Sequence, residues 1–224
     1  MAYILAVETA TKNCSVALAK DGVTILCKEI AEEGYSHAER LHVFIEQLLS
    51  ELELSYKDLS AIAVSQGPGS YTGLRIGVSA AKGLCYALNI PLIAIDTLAS
   101  LASQVIVEEG YIVPMIDARR MEVYSAIFNS KHQKIREIRA EILTSESFSD
   151  IDSTIYFIGD CAEKSKTVLN QNNHVYLDTI IYPSAKDMSA MGYEKYKKSD
   201  FVDVAYFEPY YLKDFVGTIP KNNI

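Results

Sequence analysis

Several chemistries are missing from this chain of 224 residues. It has no Cys-x-x-Cys pair. Cys14, Cys27, Cys85 and Cys161 are scattered, which argues against a disulfide scaffold and for free buried thiols in a reducing compartment. No apolar run approaches the ~20 residues that span a bilayer. The start MAYILAVETA lacks the basic segment of a signal peptide, so a cytoplasmic protein without membrane contact is expected. A basic footprint is also missing: 21 Lys+Arg stand against 29 Asp+Glu, a net charge of −8 shared by both halves. Tight binding of nucleic acid by this chain alone is therefore not expected. His37, His42, His132 and His174 are dispersed, with no pair at i, i+4 to share a metal on one helix face. No Gly-x-Ser-x-Gly elbow occurs, and no Gly-Lys-Ser/Thr follows the glycine-rich block.

What remains is an ordinary globular composition, 49% hydrophobic and 22% charged. Apolar runs predict strands over Tyr3–Val7, Cys14–Ala19 and Val23–Ile30, with Asp21-Gly22 as a hairpin turn. Ser36 and Glu39 form a capping-box pattern for a helix over His37–Leu52, with Leu41, Phe44, Ile45, Leu48, Leu49 and Leu52 as its apolar stripe. Strands follow at Leu59–Ser65 and Pro91–Ile95, with a helix over Thr72–Leu88 between them and another over Leu98–Val107 after them. The second half repeats the opening less regularly. Strands are expected at Tyr111–Ile116, Glu122–Phe128, Lys134–Ile142 and Ile155–Ile158, and helices over Ala162–Leu169 and Ala185–Lys197. An extended Pro209–Leu212 segment ends the reading. The fold class is α/β, with a duplication of fold and no convincing sequence repeat.

The most informative stretch is Ser65-Gln66-Gly67-Pro68-Gly69-Ser70-Tyr71-Thr72-Gly73-Leu74-Arg75-Ile76-Gly77. Two readings stand for its turn: a phosphate cradle made of backbone amides at a helix N-terminus, or a hinge that launches the helix behind it. That helix carries only two charges, Arg75 and Lys82, on nearly one face. A helix apolar on most of its circumference is covered on more than one side. The hydroxyl-rich turn Glu8-Thr9-Ala10-Thr11-Lys12-Asn13 also has two readings, a nucleotide contact or a tight turn satisfying its own backbone. Asp117, at the equivalent turn of the second half, could face the same cleft. Arg119 and Arg120 beside it suit either an anion or solvent.

Read together, ILAVETATKNCSVAL, SHAERL, AIAVSQGPGSYTGLRIGVSAAKGLCYALNIPLIAIDTLASLA, IDARRMEVYSAIF and EPYYLKDF resemble the TsaB family, also called YeaZ. The resemblance implies an actin-like (ASKHA, ribonuclease H-like) fold of two βββαβαβα-type domains, residues 1–103 and 104–224. It implies a non-catalytic subunit and activator for TsaD, which moves threonylcarbamoyl from threonylcarbamoyl-AMP to N6 of the adenosine beside the tRNA anticodon. Further implied partners are the ATPase TsaE and a second copy of the chain, with tRNA reached only through the complex. No intrinsic cofactor or metal is implied; the partner interface is where ATP or ADP could sit. In TsaD-like proteins a His-x-x-x-His pair binds metal, and the matching positions here are Thr97 and Leu101. The rival readings are an actin-fold ATPase or kinase using Glu8 and Asp117, with Thr9 and Thr11 at its nucleotide, and a metallopeptidase, which the missing histidines disfavour.

The resemblance also places the partner on the two helices of the first domain. The interface candidates are Leu41, Ile45, Gly73, Leu74, Gly77, Ala80, Ala81 and Leu84, with Leu74, Val78, Ala81 and Cys85 expected on the sheet side. A Gly77→Arg variant is expected to break the complex and leave the monomer folded.

Overall fold

The computed structural model describes residues 1–31, 37–119 and 121–213. Ser36 of the expected capping box and Arg120 lie outside them. The chain runs through β1 (Tyr3–Glu8), β2 (Asn13–Lys20), β3 (Val23–Ala31), α1 (His37–Glu51), β4 (Ala61–Gly67), α2 (Tyr71–Leu88), β5 (Leu92–Asp96) and α3 (Thr97–Ala102). It continues through β6 (Tyr111–Asp117), β7 (Glu122–Asn129), β8 (Lys134–Ile142), β9 (Ile155–Ile158), α4 (Ala162–Ser165), β10 (His174–Tyr176) and α5 (Ser189–Lys197). Asp21 and Gly22, at φ 48° and 85°, turn β2 into β3 as the sequence required.

The first sheet has the order β3-β2-β1-β4-β5, antiparallel through β1–β3 and parallel from β1 to β5. The second has the order β10-β9-β6-β7-β8, the same topology built from later elements. The duplication expected from the sequence is therefore real, and it is the repeated actin-like unit. The strand β10 completes the repeat, and its three residues, His174, Val175 and Tyr176, give too short a pattern to be read from sequence. The helix expected over Ala162–Leu169 stops at Ser165, and the one expected over Leu98–Val107 stops at Ala102.

Between the lobes lies α3. Asp96 caps it, its Oδ1 accepting from the Leu98 and Ala99 amides at 2.9 and 3.1 Å, while Oδ2 binds Lys134 Nζ of the second lobe at 2.6 Å. Leu98, Leu101, Ala102 and Val105 are buried with Ile112, Ile116, Ala126, Phe128 and Ile158 of the second sheet. An apolar core therefore joins the lobes here.

The second lobe does not keep the whole of 104–224. A 3-10 turn at Ala185–Met188 and α5 pack on the first sheet, where Ala185 and Met188 share a core with Ile4, Ala6, Ala17, Ala61, Ala63, Ile93 and Ile95. The reason is the parallel part of the first sheet, which has two apolar faces. Helices α1 and α2 cover one face, and this return segment covers the other. Residues 201–213 then cross α2 as a strap. Val202 N donates to Leu92 O at 3.0 Å and Tyr210 N to Gln66 O at 2.7 Å.

Candidate functional site

The first turn and the glycine-rich block meet at the end of β1. Thr9 Oγ1 donates to the Gly73 carbonyl at 2.8 Å, and Ser70 N donates to the Ala10 carbonyl at 2.7 Å. A Cβ at Gly73 would overlap the Thr9 carbonyl oxygen, and one at Gly77 would overlap Thr9 Oγ1. These glycines exist so that α2 can start against the Thr9–Ala10 backbone. Three amides of the block are already committed: Ser70 N to Ala10 O, Gly73 N to Ser70 Oγ at 3.2 Å, and Gly67 N to Thr97 Oγ1 at 3.0 Å. These bonds lock the turn to the Ala10 backbone and to Thr97 of α3, as a hinge that launches α2 requires.

Of the cleft candidates, Glu8, Thr9 and Thr11 are buried. Glu8 Oε1 accepts from Ala10 N at 2.6 Å, and Oε2 bonds to no described residue. Burial raises the Glu8 carboxyl to about 7, against the pull of the Ala10 and Thr9 amides and Ser65, and Asp187 adds repulsion. Asp187, on the 3-10 turn, is itself raised to about 6 by burial, and its Oδ2 is also without a described partner. Thr11 O takes a bond with His37 Nε2 at 2.8 Å. Asp117 belongs to a different group: it is exposed, paired with Lys164, accepts from Arg119 N at 2.9 Å, and its own N–H donates to Asp160 Oδ1 at 2.8 Å. The second acid whose charge reaches Glu8 is Asp187, on the returning segment. Nothing in the local sequence around Asp187 signals this, because its place depends on the whole second lobe being built first.

The partner candidates divide by burial. Leu41, Ile45, Leu74 and Ala81 are wholly enclosed in this chain's own core, and Gly73 and Gly77 face the Thr9 turn. These six are corrected from interface to core. Freeing a buried leucine or isoleucine would forfeit ~1.5–3 kcal/mol of apolar burial each, so they stay inside. Leu74, Val78, Ala81 and Cys85 do face inward as expected. Ala80 and Leu84 are half-buried and keep a surface. The outward stripe of α2 is Thr72, Ile76, Ser79, Gly83, Tyr86 and Ala87, positions that helical spacing puts on one side. It carries no charge. Gly83 in its middle has open space where a Cβ would stand, so no internal packing requires glycine there. The sequence signal for this stripe is the run Ser79–Ala87, but small residues occur on both sides of α2, so spacing alone does not say which side is open.

The two charges of α2 are spent on the strap. Lys82 Nζ donates to the Ala205 and Phe207 carbonyls at 3.1 and 2.9 Å, and Arg75 Nε donates to Tyr211 Oη at 3.3 Å. A spacing of seven residues on one face was the available clue, although it could not name the partner segment.

With this geometry in hand, comparison with known proteins is decisive. The family model described as TsaD, tRNA N6-adenosine threonylcarbamoyltransferase, matches residues 29–216. The tRNA threonylcarbamoyladenosine biosynthesis protein TsaB of Bacillus subtilis (strain 168) is 30% identical over 219 residues, covering 94% of this chain and 93% of that one. YeaZ from Pseudomonas aeruginosa superposes with a TM-score of 0.83 at 27% identity, covering 95% of this chain and 100% of the other. The chain belongs to the TsaB/YeaZ family. A tRNA N6-adenosine threonylcarbamoyltransferase of Lactococcus lactis subsp. cremoris (strain MG1363) is also similar, at 28% identity, but this chain spans only 58% of it. At the two positions that the resemblance equates with a metal-binding histidine pair, this TsaB/YeaZ member has Thr97 and Leu101. Both are buried, and the Thr97 hydroxyl is bonded to Ser65 Oγ at 2.5 Å. Among the described residues no group of three or more His, Cys, Asp and Glu is arranged to hold a metal ion, and no helix is long and apolar enough to cross a membrane.

Proposed function

We propose that this chain serves tRNA threonylcarbamoyladenosine biosynthesis as a non-catalytic subunit that binds and activates a TsaD-type threonylcarbamoyltransferase through the outward face of α2 and its neighbour α1. The observation that carries this reading is the uncharged stripe Thr72, Ile76, Ser79, Gly83, Tyr86 and Ala87, flanked by half-buried Ala80 and Leu84. A mid-helix glycine costs ~1 kcal/mol relative to alanine, and Gly83 has no internal neighbour to justify it. A second helix approaching closely would justify it, because small residues let two backbones come together. Membership of the TsaB/YeaZ family and similarity to a transferase make such an enzyme the partner of choice. TsaE as a third component and a homodimer through the same face belong to this reading. In a homodimer the contact would be isologous and would compete with the transferase.

Gly83 separates fold from partner. Gly83→Ala should raise monomer stability by ~0.5–1 kcal/mol, read as a higher urea midpoint. Gly83→Trp should keep the circular dichroism spectrum and lose co-elution with the transferase of the same organism. Co-elution of the tryptophan variant at wild-type affinity would remove this face from the proposal. The rival ATPase reading gains nothing from the three committed amides of the glycine-rich turn. ATP turnover by the purified chain alone should match a blank, and turnover abolished by Glu8→Gln would revive that rival.

A further inference from the structure

The strap does more than cover α2. It holds Arg75 in place. The Arg75 guanidinium lies 4.3 Å from the centroid of the Tyr71 ring, and its Nε donates to Tyr211 Oη at 3.3 Å. The Tyr71 and Tyr211 rings are 5.0 Å apart and tilted by 39°. Tyr210, one residue earlier, is tied to β4 by its bond to Gln66 O. Arg75 is exposed, yet its side chain is fixed by a ring below and a hydroxyl beside it. Ordering an arginine side chain ordinarily costs up to ~2 kcal/mol, and here the fold has already met much of that cost.

Among the described residues this ordered cation has no ion-pair partner. Glu208 on the strap contributes its field without pairing. Arg75 also borders a shallow, open hollow on the surface of α2 lined by Tyr71, Thr72, Arg75, Ile76 and Ser79. Three of those residues, Thr72, Ile76 and Ser79, belong to the uncharged stripe. The cation therefore stands at one margin of the face proposed above. Its Nε is engaged, and its two Nη groups form the flat fork that takes a carboxylate.

We infer that Arg75 is the charged anchor of the partner interface and receives an aspartate or glutamate side chain from the transferase, with Tyr71 and Tyr211 as its positioning residues. The inference rests on the proposed function. The stripe supplies apolar contact with little register, since small residues along a helix permit sliding. One oriented charge pair at the margin fixes that register and disfavours partners that present a cation there. The strap thereby becomes part of the interface, although it contributes an aromatic hydroxyl rather than a direct contact.

The test measures the affinity of the full chain for the transferase of the same organism by titration calorimetry across a range of salt concentrations. Arg75→Gln should bind ~10-fold more weakly at low ionic strength and lose most of the wild-type salt dependence, because the screened pair is gone. Arg75→Lys keeps the charge but not the fork, and should fall between the two. Tyr211→Phe, which releases Nε without removing charge, should weaken binding ~3-fold and leave the salt dependence in place. Gly83→Trp should abolish binding at every salt concentration. Wild-type affinity and salt dependence in Arg75→Gln would overturn the inference while leaving the helix-face reading intact. Failure of the wild-type chain to bind the transferase would overturn both. Should Arg75→Gln prove poorly folded, unchanged affinity in Arg75→Lys together with Tyr211→Phe is the overturning result.

Discussion

Gly77→Ala should lower the unfolding free energy by about 2 kcal/mol, and adding Thr9→Ala should leave that loss about unchanged instead of doubling it. The added Cβ would overlap Thr9 Oγ1, whereas the Thr9 Cβ and Cγ2 lie at 3.4 Å from it. Overpacking of this kind costs ~1–3 kcal/mol, against which alanine returns up to ~1 kcal/mol of helix propensity. Thr9→Ala alone loses the hydroxyl's bond to Gly73 O and a buried methyl, together about 2 kcal/mol. In the double variant the clashing atom is absent and the new methyl fills the space it leaves. The double-mutant cycle should therefore show a favourable coupling of about 2 kcal/mol, measured by urea unfolding. Strict additivity would mean that Gly77 does not owe its identity to Thr9. The same geometry revises the expectation for Gly77→Arg: that variant should fail to fold, so loss of a complex by it says nothing about the interface.

Glu8→Gln should stabilise the chain by about 3 kcal/mol at pH 8 and by little at pH 4. The Glu8 carboxyl has a pKa of about 7 in the fold, against 4.5 when unperturbed, because it is fully enclosed. A raised carboxyl pKa means that the folded state holds a proton the unfolded chain has released. Its contribution to stability is full below pH ~4.5 and is lost as the pH rises towards ~7, with no further change above. Glutamine has no charge to desolvate and keeps an oxygen for the Ala10 amide, which Glu8 Oε1 now accepts at 2.6 Å. Thermal melts from pH 4 to pH 8 should fall more steeply for the wild type than for Glu8→Gln. Parallel curves would place the carboxyl in a wetter setting than its burial indicates. Asp187 adds a smaller slope of the same sign, its own pKa being raised to about 6.

The opposite faces of α2 show how far a sequence can be read. Leu74, Val78, Ala81 and Cys85 were assignable to the sheet because their spacing follows the helical period and the next strand is known. Gly73 and Gly77 were not, since a glycine is equally consistent with a partner outside and a backbone inside. The deciding neighbour, Thr9, lies 64 residues from Gly73 in sequence. For α1 the periodicity gave the stripe of Leu41, Ile45, Leu48 and Leu49, yet a stripe does not say whether its cover comes from the same chain. Here it does. The cleft behaved likewise. Glu8 and Asp117 were legible as turn acids of two equivalent lobes, and the lobes are indeed equivalent in topology. Their acids are engaged separately: Asp117 pairs with Lys164 of its own lobe, and the return of residues 185–197 to the first sheet brings the charge of Asp187 to bear on Glu8.

By itself the sequence determined the α/β class, the strand and helix order of the first lobe, the duplicated plan and, through its motif blocks, the TsaB/YeaZ resemblance. Each of these rests on local pattern or contiguous motif, where side-chain period and turn chemistry act over a few residues. Only the tertiary structure decided which small residues are internal clearances and which stripe is open. It also decided that a strap from the end of the described chain orders Arg75. Those outcomes depend on which distant segments arrive to fill a given face, and steric exclusion between such segments leaves no periodic trace in the chain.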